Sequence, residues 1–509
     1  MDYLDVNTVA RLALMELIFI IAFCMSATIL YAQESSESSY DIVLMNGRVM
    51  DPESGLDAVR NVGITDGKIV AISDEPMQGK ETIDASGLVV APGFIDLHAH
   101  GQDLFSSSLQ VRDGVTTALE LEAGAFPVAQ WYASREGKAL IHYGATVGHI
   151  PARVKLKHDL EVGDLLTLLR EAMSLESWRY ESATVEELGR LEALLEQGLD
   201  EGALAIGYGI NYTPGARRGE ILRCFALAAR RDMPNFVHTR SMGQIEPGSS
   251  IEAVQEVIAN AAATGASLHI VHIGSSGLGQ LPTLLDMVEG CQQNGLDVTA
   301  EIYPYTAAST PIGWAIFDTG WRERLGADYS DVEWVATGER LTEESFNSYR
   351  QQQPDGIVIL YIMKEEMVEQ AIAHPQVMIA SDGMPFIDGK AHPRGAGTFA
   401  RVLGRYVRER KTLSLMDALR KMTLMPAQRL ENNVAQMRSK GRIKVGADAD
   451  ITIFDAEKVI DQATFKDPAQ PSAGIIHVLV GGTLVVRDAQ LVEGVFPGRA
   501  IRRADVRDP

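Results

Sequence analysis

Cysteine is scarce. Cys24, Cys224 and Cys291 are the only three in 509 residues, which excludes a disulfide-stapled scaffold and leaves a chain of this length to rely on a large apolar core. Positive charge is also short: 46 Lys and Arg stand against 68 Asp and Glu, for a net charge of −22. That balance argues against a polyanionic partner such as nucleic acid. Low-complexity blocks are missing, and long apolar runs are missing with one exception. Residues 12–32, LALMELIFIIAFCMSATILYA, are almost continuously apolar apart from Glu16, and they close on small residues before the polar QESSESS. We expect a signal peptide cleaved near Ala32 and a periplasmic or secreted protein. An uncleaved membrane anchor is the alternative, because about 20 apolar residues span a bilayer. The bulky Phe23 before Cys24 argues against a lipid-modified cysteine.

What remains after residue 39 has a clear organisation. YDIVLMNGRVMD, NVGITDGKIVAIS and ETIDASGLVVAPG read as short strands with Asn-Gly, Asp-Gly and Ser-Gly turn signals, and GADADITIFD with IIHVLVGGTLVVRDAQLV repeats the pattern at the other end. Between them, eight apolar runs alternate with helical patterns: GFIDLHAH, VTTALELEAG, LIHYGATVGH, GALAIGYGI, NFVHTRS, SLHIVHIGS, LDVTAEIYPYT and VMIASDG. Eight such units point to an α/β protein with a (β/α)8, TIM-like barrel. The expected arrangement is a leader and linker at 1–39, a small β-sandwich built from 40–91 and 436–509, and a barrel at 92–435. The stretches 153–190 and 316–370 exceed ordinary loop lengths and are read as insertions at the barrel mouth.

Polar residues gather where the apolar runs end. His98 and His100 close the first run two residues apart, so both side chains point the same way from a strand. His238 ends the fifth run, His272 the sixth and Asp382 the eighth. In a barrel these positions form the C-terminal rim, where catalytic groups collect. Imidazoles and a carboxylate there suit Zn²⁺ or a related ion, one or two per chain, with Asp382 placed to take and pass on a proton. In the second run Glu120 and Glu122 share a face, an unusual place for two carboxylates without a nearby cation. Either could bridge two ions or pair with a barrel arginine; Glu122 is nearer the rim. His149 ends the third run and is a candidate substrate contact. His269 lies deeper in its run and is read as structural, as are His142, His158, His374 and His392.

These motifs resemble the amidohydrolase superfamily, and within it the N-acyl-D-amino-acid deacylase (D-aminoacylase) branch. APGFIDLHAH is similar to the superfamily's first-strand signature. DGVTTALELEAG, EGALAIGYGINYTPG, AEIYPYTAAST and ASDGMPF are similar to later strands of the branch, and HPRGAGTFARVLGRYVRE with KGRIKVGADADITIFD is its most specific part. The resemblance implies hydrolysis of a linear amide, of an N-acyl amino acid or a related carboxylated amide, by metal-bound hydroxide with Asp382 as general base and acid. It implies metal ligation by His98, His100, His238 and His272, and binding of the substrate carboxylate by Tyr212 and Arg394; a planar guanidinium suits that role. Two positions depart from the branch. Ala123 stands where it usually carries a ligating cysteine, and Gly274 where a lysine helps to hold the substrate. Hydrolysis of a cyclic amide or a dipeptide on the same scaffold is the alternative activity, and a catalytically inactive scaffold protein the alternative class.

Overall fold

The computed structural model describes residues 40–503. The leader and any cleavage site lie outside them. Among the described residues no helix is long and apolar enough to cross a membrane.

Eight parallel strands form the central sheet, in chain order Phe94–Asp96, Val115–Ala125, His142–Gly148, Ile206–Gly209, Asn235–His238, Leu268–Ile270, Val298–Ile302 and Val377–Ile379. Each begins within one of the eight apolar runs, the second passing its run by one residue to Ala125, and each pairs with its predecessor except where the last meets the first. There the ring closes through a single parallel bridge between Ala99 and Gly383, with His100 N–H donating to Gly383 O at 2.9 Å. Asp96 ties the same seam. Its buried carboxylate accepts the backbone N–H and the hydroxyl of Ser381, at 3.0 and 2.5 Å, and the N–H of His98 at 3.1 Å. Burial outweighs those donors and raises Asp96 to about 6.

Helices cover the barrel because their apolar stripes match it. The Val185–Asp200 helix starts with a Thr184–Glu187 capping box and buries Leu191, Leu195 and Leu199; Ser249 and Glu252 cap the Ser250–Thr264 helix in the same way. One continuous core joins Val147 and Ile206 of the strands to Leu195, Phe225 and Val257 of the helices.

Both chain ends share one further sheet of nine strands. Val89–Pro92 is its seam, parallel to Tyr40–Asp51 on one side and antiparallel to Ile451–Phe454 on the other. Asp66-Gly67 and Gly481-Gly482 make true hairpin turns. Asn46-Gly47 does not. It sits inside the first strand as a register shift with Asn46 at φ 60°, because the chain must kink to pass Val90, whose Cγ2 would lie 2.4 Å from a Cβ at residue 47.

Extra structure crowns the mouth. Helices Leu165–Ala172 and Ser177–Tyr180 follow the third strand. After the seventh, a four-stranded antiparallel sheet runs from Ala308 to Leu360, and helix Glu365–Ala373 then returns the chain to the barrel.

Candidate metal centre and active site

The strand ends bring His98, His100, Glu122, His238, His272 and Asp382 into one buried cluster. Nε2 of His98 lies 3.1 Å from Nε2 of His100, 2.8 Å from Glu122 Oε2 and 3.5 Å from Asp382 Oδ1. His100 Nε2 is 3.2 Å from Glu122 and 3.4 Å from Asp382. On the other side, Glu122 Oε1 lies 2.9 Å from His238 Nδ1, which is 3.0 Å from His272 Nε2. Two donor sets result, His98–His100–Glu122–Asp382 and Glu122–His238–His272, each with its ligand atoms within 4.8 Å of one another. Glu122 belongs to both.

Outer hydrogen bonds fix how the rings face. His98 Nδ1 pairs with Glu301 Oε1 at 2.6 Å, His100 Nδ1 with Glu120 Oε2 at 2.8 Å, and His272 Nδ1 with Ser276 Oγ at 3.1 Å. The Nδ1 protons being committed there, three Nε2 atoms are turned inward, an arrangement that suits a shared cation. Two ligand positions also use left-handed backbone, His272 at φ 32° and Asp382 at φ 51°. Such conformations cost about 1–3 kcal/mol each and persist where the surroundings dictate them.

The electrostatics agree. Burial would lower His98, but the Asp382 and Glu301 carboxylates push it up to about 10, and His100 is likewise raised against burial by Glu120 and Asp382. Burial and the neighbouring His238 bring His272 down to about 3. Burial would raise Glu301, but His98 and His269 hold it at about 2; the Asp382 carboxyl, also buried, is held well below the usual range by Arg394 and the imidazoles. Protons on His98 and His100 therefore stand where a cation would, and a divalent ion fits this donor set.

Above the cluster is a small cavity of about 40 Å³, whose walls include Ile150, Leu165, Leu168, Tyr212, Trp314 and Met384. The Tyr212 ring is wedged between His238 and Trp314, its centroid 4.5 Å from each. Arg394 Nη2 sits 2.9 Å from Asp382 Oδ2, and its guanidinium lies 4.4 Å over Tyr303. Arg394 Nε and Nη1, the Tyr303 hydroxyl and the Ser309 and Thr310 hydroxyls are buried without a partner among the described residues.

Three positions differ from the sequence reading. Glu120 is in neither donor set: its carboxylate is spent on His100 Nδ1 and on the Ala123 N–H at 3.1 Å. His149 is away from the cavity. Gly148 ends the strand and caps a helix, which carries the His149 ring to Glu220 at 2.9 Å, a carboxylate shared with Arg153. Glu301 was missed, although a lone carboxylate inside the apolar AEI run carried the same signal as Glu120 and Glu122. It links His98 to His269, whose Nε2 lies 3.1 Å away.

A barrel with imidazoles and carboxylates clustered on its C-terminal rim defines a metal-dependent hydrolase class, acting on carbon–nitrogen bonds other than peptide bonds. The chain belongs to the amidohydrolase family, whose profile matches residues 81–318 and 359–486; the break falls on the inserted sheet. It is 30% identical to N-acyl-D-glutamate deacylase of Alcaligenes xylosoxydans xylosoxydans, over 92% of this chain and 97% of that one. It is 28% identical to D-aminoacylase of the same organism, over 92% and 99%. Among solved structures, N-acyl-D-glutamate deacylase of Bordetella bronchiseptica, complexed with zinc and a phosphonate mimic of the tetrahedral intermediate, superposes with a TM-score of 0.78 at 26% identity, over 91% of this chain and all of that one. Dihydropyrimidinase of Brevibacillus agri shares the fold, at 17% identity and a TM-score of 0.60 over 92% and 99%.

Proposed function

We propose that this protein is an exported, zinc-dependent deacylase that hydrolyses the amide bond of N-acyl-D-amino acids with neutral side chains. The observation that carries the reading is the pair of donor sets meeting at Glu122. In this reading His98, His100 and Asp382 would hold one ion and His238 and His272 a second, with Glu122 common to both donor sets where Ala123 replaces the branch's cysteine. Such ions would supply an activated water and a Lewis acid for the amide carbonyl. Asp382 stands where it can take a proton from the attacking water and hand it to the departing nitrogen, and Arg394 holds it in place for both transfers. The unpaired Nε and Nη1 of Arg394 and the Tyr303 hydroxyl offer three donors to a substrate carboxylate. Ser309 and Thr310 offer two more to the rest of the polar skeleton.

The side-chain preference follows from the cavity walls. Ile150, Leu165, Leu168, Trp314 and Met384 are apolar, no lysine lines the cavity among the described residues, and the guanidinium of Arg394, set behind Asp382, is in this reading taken up by the substrate's first carboxylate. A second carboxylate buried there would have no partner. The relatives named above supply the D configuration and the amide class. A cyclic-amide substrate has weaker support, since the dihydropyrimidinase likeness is the more distant one. Export rests on the leader sequence, and the division into a barrel at 92–435 and a two-part β unit from 40–91 and 436–509 belongs to the same reading.

The test is metal analysis of purified protein together with a panel of N-acetyl-D-leucine, N-acetyl-D-methionine, N-acetyl-D-glutamate, their L-enantiomers and a hydantoin. We expect bound zinc and the highest kcat/KM on the neutral D-substrates. Turnover of the hydantoin alone would refute the reading.

A further inference from the structure

A second set of spaces approaches the metal centre from the side of helix Leu104–Arg112, the rear of the site. A cavity of about 510 Å³ lies apart from the one above the cluster; Gln102, Leu104, Arg135, Lys138, Tyr143 and Phe496 are among its walls. Its inner end shares Gln102, Asp103, Arg135 and Asp164 with a chamber of about 60 Å³ that also touches Glu120 and His100. That chamber in turn shares His100 and Leu165 with the cavity over the cluster. Three neighbouring spaces, with walls in common, thus lie between the outer cavity and a ligand position.

The two approaches differ in chemistry. Beyond the ligand side chains themselves, the front is faced by Ile150, Leu168, Pro311, Trp314 and Met384, with the neutral hydroxyls of Tyr212, Ser309 and Thr310 as its other polar groups and no further carboxylate. At the rear, the side-chain oxygens of Gln102, Asp103, Asp164 and Glu120 stand along the chamber. The carboxylates of Asp103, Asp164 and Glu120 are hydrogen-bonded to their neighbours, yet their three negative charges give the chamber a field that draws in a divalent ion. Inward of Lys138 in the outer cavity, one guanidinium stands at the neck of this path. The Arg135 guanidinium lies 3.9 Å over the Trp131 ring and 3.8 Å from Asp164, within the field of Asp164, Glu120 and Asp103. Its Nη1 is held by Trp131 O and Ser134 Oγ, while its Nε is buried without a partner among the described residues.

We propose that this rear passage is the route by which a divalent ion reaches and leaves the metal centre, with Arg135 as its electrostatic gate. The inference rests on the metal-site reading above. Arg135 raises the barrier for a doubly charged ion, and its removal leaves only oxygen donors in the chamber. Leu166 lines the chamber without touching the cluster, so a larger side chain there narrows the route.

The experiment is release of zinc from the loaded full-length protein to excess chromogenic chelator, followed by absorbance. Wild type is compared with Arg135→Met, Leu166→Trp and, on the front side, Leu168→Trp. Removing a unit charge about 6 Å from a divalent ion in a watery neck is worth about a factor of ten, so Arg135→Met should release zinc about tenfold faster. Leu166→Trp should release it more slowly, and both should keep the kcat/KM of the zinc-loaded wild type. Release from Leu166→Trp at the wild-type rate, or slowing confined to Leu168→Trp, would overturn the rear route alone. Protein that takes up no zinc would overturn the metal-site reading with it.

Discussion

Glu120 and Glu122 show how far two neighbouring carboxylates can differ in task. Both come from one strand face, yet Glu122 meets three imidazoles while Glu120 meets the outer nitrogen of only one. Glu122→Ala should therefore reduce the zinc content per chain. Glu120→Ala should leave the stoichiometry intact and weaken affinity about 10–100-fold, the usual effect of removing an outer partner of a ligating histidine. Inductively coupled plasma measurement after dialysis, with a competition titration, separates the two. A second expectation concerns protons. His98 is pushed up to about 10 and His100 is raised as well, so at pH 8 the metal-free cluster carries protons that an incoming ion must displace. Calorimetric zinc titrations in buffers of different ionisation enthalpy should report at least one proton released. Zinc uptake with no buffer dependence would contradict that charge state.

At the scale of elements, the helix that starts at Arg394 is held from below. Asp113 ends the helix after the first strand and accepts the N–H groups of Phe399 and Ala400, at 2.8 and 3.0 Å, and the Ser472 hydroxyl at 2.6 Å. Burial outweighs these donors and raises its pKa from 3.8 to about 8. Between those values the folded protein keeps a proton that the unfolded chain has lost, so the contribution of Asp113 to stability falls as pH rises through this window. Urea unfolding of wild type and Asp113→Asn should give a stability difference, wild type minus variant, that declines from pH 4 to pH 8; a flat difference would refute it. Elements were also where the sequence was most legible. Apolar runs bounded by polar or small residues marked all eight barrel strands, because a strand buried on both faces has little other composition available. Local spacing said less about side-chain partners. His149 looked like a rim residue because Gly148, which turns the chain into a helix, reads equally well as the end of a strand. Choosing between Glu120 and Glu122 needed the register against the third strand, which shifts between Glu120 and Ala125 and leaves no trace in the residue pattern.

Across the whole molecule, the two chain ends and the barrel are locked by buried charge. Asp450 accepts from Lys440 at 2.6 Å, from the Gly481 N–H at 2.7 Å, and pairs with His142 of the third barrel strand at 3.0 Å. Asp450→Ala removes the nearer carboxylate of a buried lysine and leaves it Asp448 at 3.1 Å, so the cost should fall short of the about 3–5 kcal/mol of a fully stranded charge; the urea midpoint should fall accordingly with the slope unchanged. The β-rich ends were readable as partners because their turn signals matched, but the nine-stranded pairing order was not, since it depends on contacts separated by hundreds of residues. The barrel seam carries a further consequence. His98 and Asp382 lie on opposite sides of a closure made by one bridge and one carboxylate, and 284 residues of chain separate them. No growing chain that stops short of the eighth strand owns the full donor set. An ion held by the set that includes His98 and Asp382 would act as a rivet through the last joint of the ring, whereas Glu122, His238 and His272 are all in place by the sixth strand.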